Sequence, residues 1–91
     1  MDKFFHLTIF TLEGILYEGE CGSLVAPGEA GYLGILANHA PLVTTLRPGK
    51  IVCKQMNGPQ KVFESRTQGL LEVLKNKVIL ILDEAGLLGR G

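Results

Sequence analysis

Apolar and polar positions alternate with a period of two along most of this chain. Over residues 6–11, Leu7 and Ile9 fall on one side and Thr8 and Phe10 on the other, as on a pleated strand. Glu13-Gly14 is a turn signal, and Ile15-Leu16-Tyr17 begins a return strand. Ser23-Leu24-Val25-Ala26 makes a third run, which Pro27 is expected to stop because proline has no N–H for a ladder. Further strands are expected at residues 33–36 and 42–46. Arg47-Pro48-Gly49 turns the chain into Ile51-Val52-Cys53-Lys54, and Asn57-Gly58-Pro59 turns it back into Lys61-Val62-Phe63. Leu70-Leu71-Glu72-Val73-Leu74 and Val78-Ile79-Leu80-Ile81-Leu82 flank a turn at Lys75-Asn76-Lys77. The last run is apolar throughout, so it is expected to be central and covered on both faces.

No segment keeps a 3.6-residue period for three turns, and turn signals recur every several residues. The pattern therefore predicts an all-β fold, a small antiparallel β-sandwich of about eight to ten short strands with no long helix. Leu7, Ile9, Val25, Ile35, Leu71, Val73, Ile79 and Ile81 are the expected core. The sandwich is assigned to residues 1–83. Residues 84–91 carry three glycines and are too few for a stable helix alone, so a short flexible tail is expected there.

A chain of 91 residues is one domain that buries roughly 64% of its unfolded surface. Hydrophobic content of 46% and charged content of 20% are those of a globular protein and argue against disorder. Nine basic and nine acidic residues cancel, leaving no electrostatic footprint for DNA or RNA. No apolar run approaches the roughly 18 residues of a membrane span, and the N-terminus lacks signal-peptide features. A cytosolic location is the expectation, with room for attachment to a membrane complex. Cys21 and Cys53 show no Cys-x-x-Cys spacing and are expected to be two free, half-buried thiols of a reducing compartment; spacing alone does not support a disulfide.

Candidate chemistry is sparse. His6 reads as a surface or edge side chain of a strand. His39 sits in Asn38-His39-Ala40-Pro41, where an imidazole nitrogen can tie backbone groups of a tight connection. Nucleophilic catalysis needs a nucleophile, a base and an orienting group in mutual reach, and these two are the only imidazole bases the chain offers. No spacing suited to metal ligands occurs, so no metal is expected. Gly28, Gly31 and Gly34 match neither the dinucleotide fingerprint nor the phosphate loop. The carboxylates are scattered singly, with Glu29 set apart by its place in a glycine loop.

One stretch is more specific than all of this. Ala26-Pro27 ends a strand, Gly28 to Gly31 forms a loop, Leu33-Gly34-Ile35 follows, and then come His39-Ala40-Pro41 and Arg47-Pro48-Gly49. In that order the elements resemble the N-terminal β-sandwich domain of the epsilon subunit of F-type ATP synthases. Glu13-Gly14-Ile15-Leu16-Tyr17-Glu18-Gly19 looks like that family's first hairpin, and Gly69-Leu70-Leu71-Glu72-Val73 like its Gly-x-Leu-Glu-Val segment. The likeness runs from His6-Leu7 to Leu82-Asp83. The chain differs where Tyr32 replaces a common acid, where Asn38 replaces a common glycine, and where Thr67-Gln68-Gly69 replaces Ser-Gly-Gly.

The resemblance implies a non-enzymatic rotor subunit of the central stalk that binds the gamma subunit and the membrane c-ring. It implies a c-ring contact at Gly28, Glu29, Ala30, Gly31 and Tyr32, and a gamma contact at Asn38, His39, Ala40, Pro41, Leu42 and Thr44. It implies no cofactor, no nucleic acid, no directly bound nucleotide, and a peripheral place on the cytoplasmic face of the inner membrane. Typical members continue into a two-helix C-terminal domain. Residues 84–91 supply neither helices nor a nucleotide site, so inhibition by helix extension is not expected of this chain. The alternative is a small ligand-binding or enzymatic jelly-roll sandwich, and a third reading is a stand-alone regulatory homologue of the epsilon subunit.

Overall fold

The computed structural model describes residues 3–55 and 58–90, with side chains through residue 88. Among these residues ten strands follow one another: β1 (Phe5–Thr11), β2 (Gly14–Cys21), β3 (Ser23–Gly28), β4 (Gly31–Leu36), β5 (Leu42–Leu46), β6 (Gly49–Lys54), β7 (Gln60–Ser65), β8 (Gly69–Leu74), β9 (Lys77–Leu82) and β10 (Ala85–Arg90). They hydrogen-bond in the order β10-β7-β6-β3-β5-β8-β9-β1-β2, with β4 attached to β3 as a hairpin. All pairings are antiparallel except β1 with β9. The sheet curls until β2, at one end of the order, approaches β10 at the other. The all-β sandwich expected from the period of two is the fold observed.

The alternating positions supply one core. Phe5, Leu7, Ile9, Leu24, Ile35, Leu46, Ile51, Phe63, Leu71, Val73, Leu80 and Leu82 are almost wholly excluded from solvent. Each such side chain contributes about 1.5–3 kcal/mol of transfer free energy. Leu7, Ile9, Ile35, Leu71 and Val73 take their expected places.

Three expected core residues do not. Val25 faces outward at 40% exposure, while its neighbours Leu24 and Ala26 are buried. In three consecutive apolar residues the sequence does not fix which face turns inward. Here the pairing of Leu24 with buried Cys53 fixes it. On β9 the inward set is Val78, Leu80 and Leu82, while Ile81 is exposed and Ile79 half-buried. The strand is central in the ladder, flanked by β8 and β1, yet its outer face lacks the expected cover.

Three further differences concern strand ends and thiols. β3 runs through Pro27 to Gly28. Pro27 offers its carbonyl, which accepts the Arg47 N–H at 2.8 Å, so its missing donor does not end the strand. Residues 85–90, expected to be part of a flexible tail, form β10 against β7. Glycine does not prevent pairing when a free sheet edge such as β7 offers ladder partners. Cys21 and Cys53 are free, as expected, but fully buried and in contact rather than half-buried. The turn expected at Asn57-Gly58-Pro59 begins at Asn57, which lies outside the described residues.

Candidate functional site

The hairpin of β3 and β4 carries residues 28–32 at its tip, with Gly28 opposite Gly31 and Glu29 and Ala30 as the turn. Gly31 has φ 139°, a region that side chains with Cβ rarely adopt. Glu29 is anchored rather than merely solvated: the Thr45 hydroxyl donates to its carboxylate at 2.7 Å. Tyr32 remains exposed. Pro27, Glu29, Tyr32, Arg47 and Pro48 line an open groove beside the tip.

Residues 37–41 connect β4 to β5 at the far end of the hairpin. Asn38 has φ 65°, the left-handed conformation that asparagine tolerates better than most residues. Its backbone N–H donates to Asn76 Oδ1 at 2.6 Å, and Asn76 Nδ2 donates back to Asn38 Oδ1 at 3.1 Å. The His39 ring donates through Nδ1 to the Ala40 carbonyl at 2.7 Å, the backbone-tying arrangement considered for this imidazole. Leu42 packs against the core and Thr44 is half-buried, so it is Val43 and Thr45 that face outward from β5.

The two sets of expected contact residues therefore lie apart. β4 separates the tip from Asn38 by six residues, about 20 Å of extended chain. What joins them is an outer sheet surface that sequence reasoning missed. Thr45 pairs with Leu70, Leu70 with Ile81, Ile81 with Phe10, and Phe10 with Ile15. Leu70, Ile81, Phe10 and Ile15 are exposed at 38, 50, 37 and 56%. They form one apolar row across four strands, starting beside the Thr45 that holds Glu29. Val43 and Ile79 extend the surface toward the Asn38 end through the neighbouring row, with Glu72 between them. The signal was present in the unbroken apolar run of β9, whose outward residues need cover the domain does not supply.

His6 is exposed and pairs with Glu18 at 3.2 Å. Among the described residues no three His, Cys, Asp or Glu side chains gather in a way that could hold a metal ion, and no helix is long and apolar enough to cross a membrane. Such a surface can dock a partner through apolar and backbone groups.

Comparison with known proteins agrees in sequence and in shape. Residues 4–87 match the family described as ATP synthase, Delta/Epsilon chain, beta-sandwich domain. The ATP synthase epsilon chain of Dichelobacter nodosus is 38% identical over 81 residues, covering 89% of this chain and 56% of that protein. That of Xylella fastidiosa is 43% identical over 77 residues, covering 85% and 54%. The chain thus spans little more than half the length of these curated relatives. A chain from the Euglena gracilis mitochondrial ATP synthase, solved with OSCP, F1 and c-ring in rotational state 1, superposes with a TM-score of 0.88 over 96% of this chain and 55% of that one. Its sequence identity is 19%, so that likeness speaks for the fold.

Proposed function

The chain belongs to the ATP synthase delta/epsilon chain β-sandwich family, and we propose that it acts as a non-catalytic rotor component of the synthase's central stalk. In this reading it binds the gamma subunit and the c-ring, coupling ion flow to ATP synthesis from a peripheral position on the cytoplasmic face of the membrane. The c-ring contact is the hairpin tip: Gly28, Glu29, Ala30, Gly31 and Tyr32. The gamma contact is Asn38, His39, Ala40 and Pro41, with Leu42 and Thr44 seating the strand beside them. Val43, Leu70, Ile81, Phe10 and Ile15 extend this contact along the sheet.

The apolar row on the outer sheet face is the observation that carries the proposal. Four large apolar side chains in register across four strands, exposed within the domain, are unlike the scattered apolar residues of an ordinary surface and mark a place for a partner. Tyr32, in place of a charged residue, supplies area and a hydroxyl at the tip. Contacts of this kind depend only modestly on ionic strength. The described residues contain no helix, so helix extension along gamma, with its brake on hydrolysis, lies outside what this stretch does.

Co-purification tests the reading. The tagged chain, incubated with detergent-solubilised membranes containing the synthase, should retain gamma and c-ring subunits at 0.5 M salt at a level close to that at 0.1 M. Retention of neither, or retention lost completely on raising the salt, would overturn it.

A further inference from the structure

The seam where the sheet closes holds a cluster that docking to a rotor does not use. Cys21 is the last residue of β2 and Cys53 lies within β6, 32 positions later. Gly22 N–H donates to the Lys54 carbonyl at 2.8 Å, drawing the end of β2 onto β6. The two sulfurs then meet in the core, 2.8 Å apart, with neither residue more than 1% exposed. The Cys21 thiol donates to the Ser23 carbonyl at 3.0 Å. Tyr17 reaches across the same seam, its ring 5.6 Å from that of Phe63 and under the Lys61 ammonium at 4.8 Å. Gln55 Nε2 donates to its hydroxyl at 3.2 Å.

We propose that Cys21 and Cys53 form a dithiol modification site, which a small two-electron oxidant of the hydrogen peroxide class converts to an intrachain disulfide. From their separation of 2.8 Å the two sulfurs need to move less than about 1 Å to reach covalent distance.

The pair is also chemically unequal. Contact with Cys53, reinforced by burial, raises the Cys21 thiol far above its ordinary range. The same contact lowers Cys53 against the opposing effect of burial, with smaller help from the Tyr17 hydroxyl and the Lys61 charge. Of the two, Cys53 is thus the readier to give up its proton.

In the first step Cys53 gives up its proton and its sulfur attacks one peroxide oxygen. An S–O bond forms, the O–O bond breaks, and hydroxide leaves to take up the proton that Cys53 released. In the second step the Cys21 sulfur attacks the Cys53 sulfenic sulfur. The S–S bond forms, the S–O bond breaks, and the departing hydroxide takes the Cys21 proton. Each sulfur loses one electron, peroxide gains two, and two waters result. β2 is hydrogen-bonded in the ladder to β1 alone, so opening of this edge admits the oxidant. Burial keeps bulkier thiols out, and the resident Cys21 intercepts the sulfenic acid before further oxidation.

Intact-mass analysis of the chain purified under reducing conditions, then treated with hydrogen peroxide while folded, is the test. The expected product is a monomer lighter by two hydrogen atoms that takes no alkylating label after denaturation and two labels after reduction. Closing a loop of this length should raise its melting temperature by about 10 °C or more, reversibly with dithiothreitol. Oxygen adducts on one thiol with the other still free, a disulfide-linked dimer, or a pair that oxidises only in denaturant would each overturn the proposal. A disulfide that leaves the melting temperature unchanged would overturn its role as a seam clamp.

Discussion

Asn38 and Asn76, 38 residues apart, clasp each other through two hydrogen bonds, and both sit in the left-handed region at φ 65° and 59°. The pair ties the β4–β5 connection to the β8–β9 turn, whose Asn76 carbonyl also accepts the His6 N–H at 2.9 Å. One turn residue thereby aligns the starts of β1 and β9 with the loop proposed to meet gamma. Replacing Asn76 by Ala removes the clasp and places at positive φ a residue that tolerates it less well than asparagine. Thermal unfolding should show a loss of about 1–2 kcal/mol, a fall of roughly 5–12 °C. Asn76→Gly keeps the conformation and should lose less. Equal melting temperatures for all three proteins would contradict this account of the turn.

Gly69 opens β8 against the end of β9. A Cβ there would collide with Leu82 Cδ2 and fall 2.7 Å from the Ile81 carbonyl oxygen, which is fixed in the ladder. Gly69→Ala should therefore destabilise the fold by about 2–3 kcal/mol. Gly34, whose added Cβ meets nothing within 4 Å, is the matched control. Gly34→Ala should change stability by no more than about 0.5 kcal/mol in urea titration.

Gly31 separates docking from folding. A Cβ at this site meets no neighbour, but φ 139° is strained for any L side chain. Gly31→Val should reshape the exposed tip while leaving the core intact. Retention of c-ring subunits by the tagged chain should drop at least tenfold, with gamma retention and the β-sheet circular dichroism signature preserved. Undiminished c-ring retention would remove residues 28–32 from the contact.

The apolar row makes the opposite separation. Leu70→Thr with Ile81→Thr keeps strand-compatible residues on a solvent-facing surface, so the melting temperature should move by only a few degrees. Affinity for gamma, measured by titration calorimetry, should fall at least tenfold, equivalent to about 1.4 kcal/mol. Unchanged affinity would show that the row serves another partner.

The sequence carried the fold where polar and apolar residues alternate, as in Leu7-Thr8-Ile9 and Leu71-Glu72-Val73. It was ambiguous where alternation vanishes. In Leu24-Val25-Ala26 and in residues 78–82 every position is apolar, and only pairing with neighbouring strands decides which side chains point inward. The same ambiguity hid the candidate site. An apolar strand reads as one covered inside its own domain, whereas here Ile81 is left 50% exposed. The proximity of Cys21 to Cys53, the Glu29–Thr45 contact and the Asn38–Asn76 clasp join distant positions, and no local spacing reports such contacts. The strand at residues 85–90 escaped for a related reason: its three-glycine neighbourhood lacks a period, and its order comes from the β7 edge.

Coupling is the central claim, and ATP-driven ion pumping measures it most directly. Synthase membranes stripped of their own epsilon subunit, then resupplied with this chain, should regain pumping while ATP hydrolysis changes little across a range of ATP concentrations. The Leu70→Thr, Ile81→Thr double variant should not restore pumping. Failure of the unaltered chain to restore pumping, or strong inhibition of hydrolysis relieved by ATP, would contradict the account.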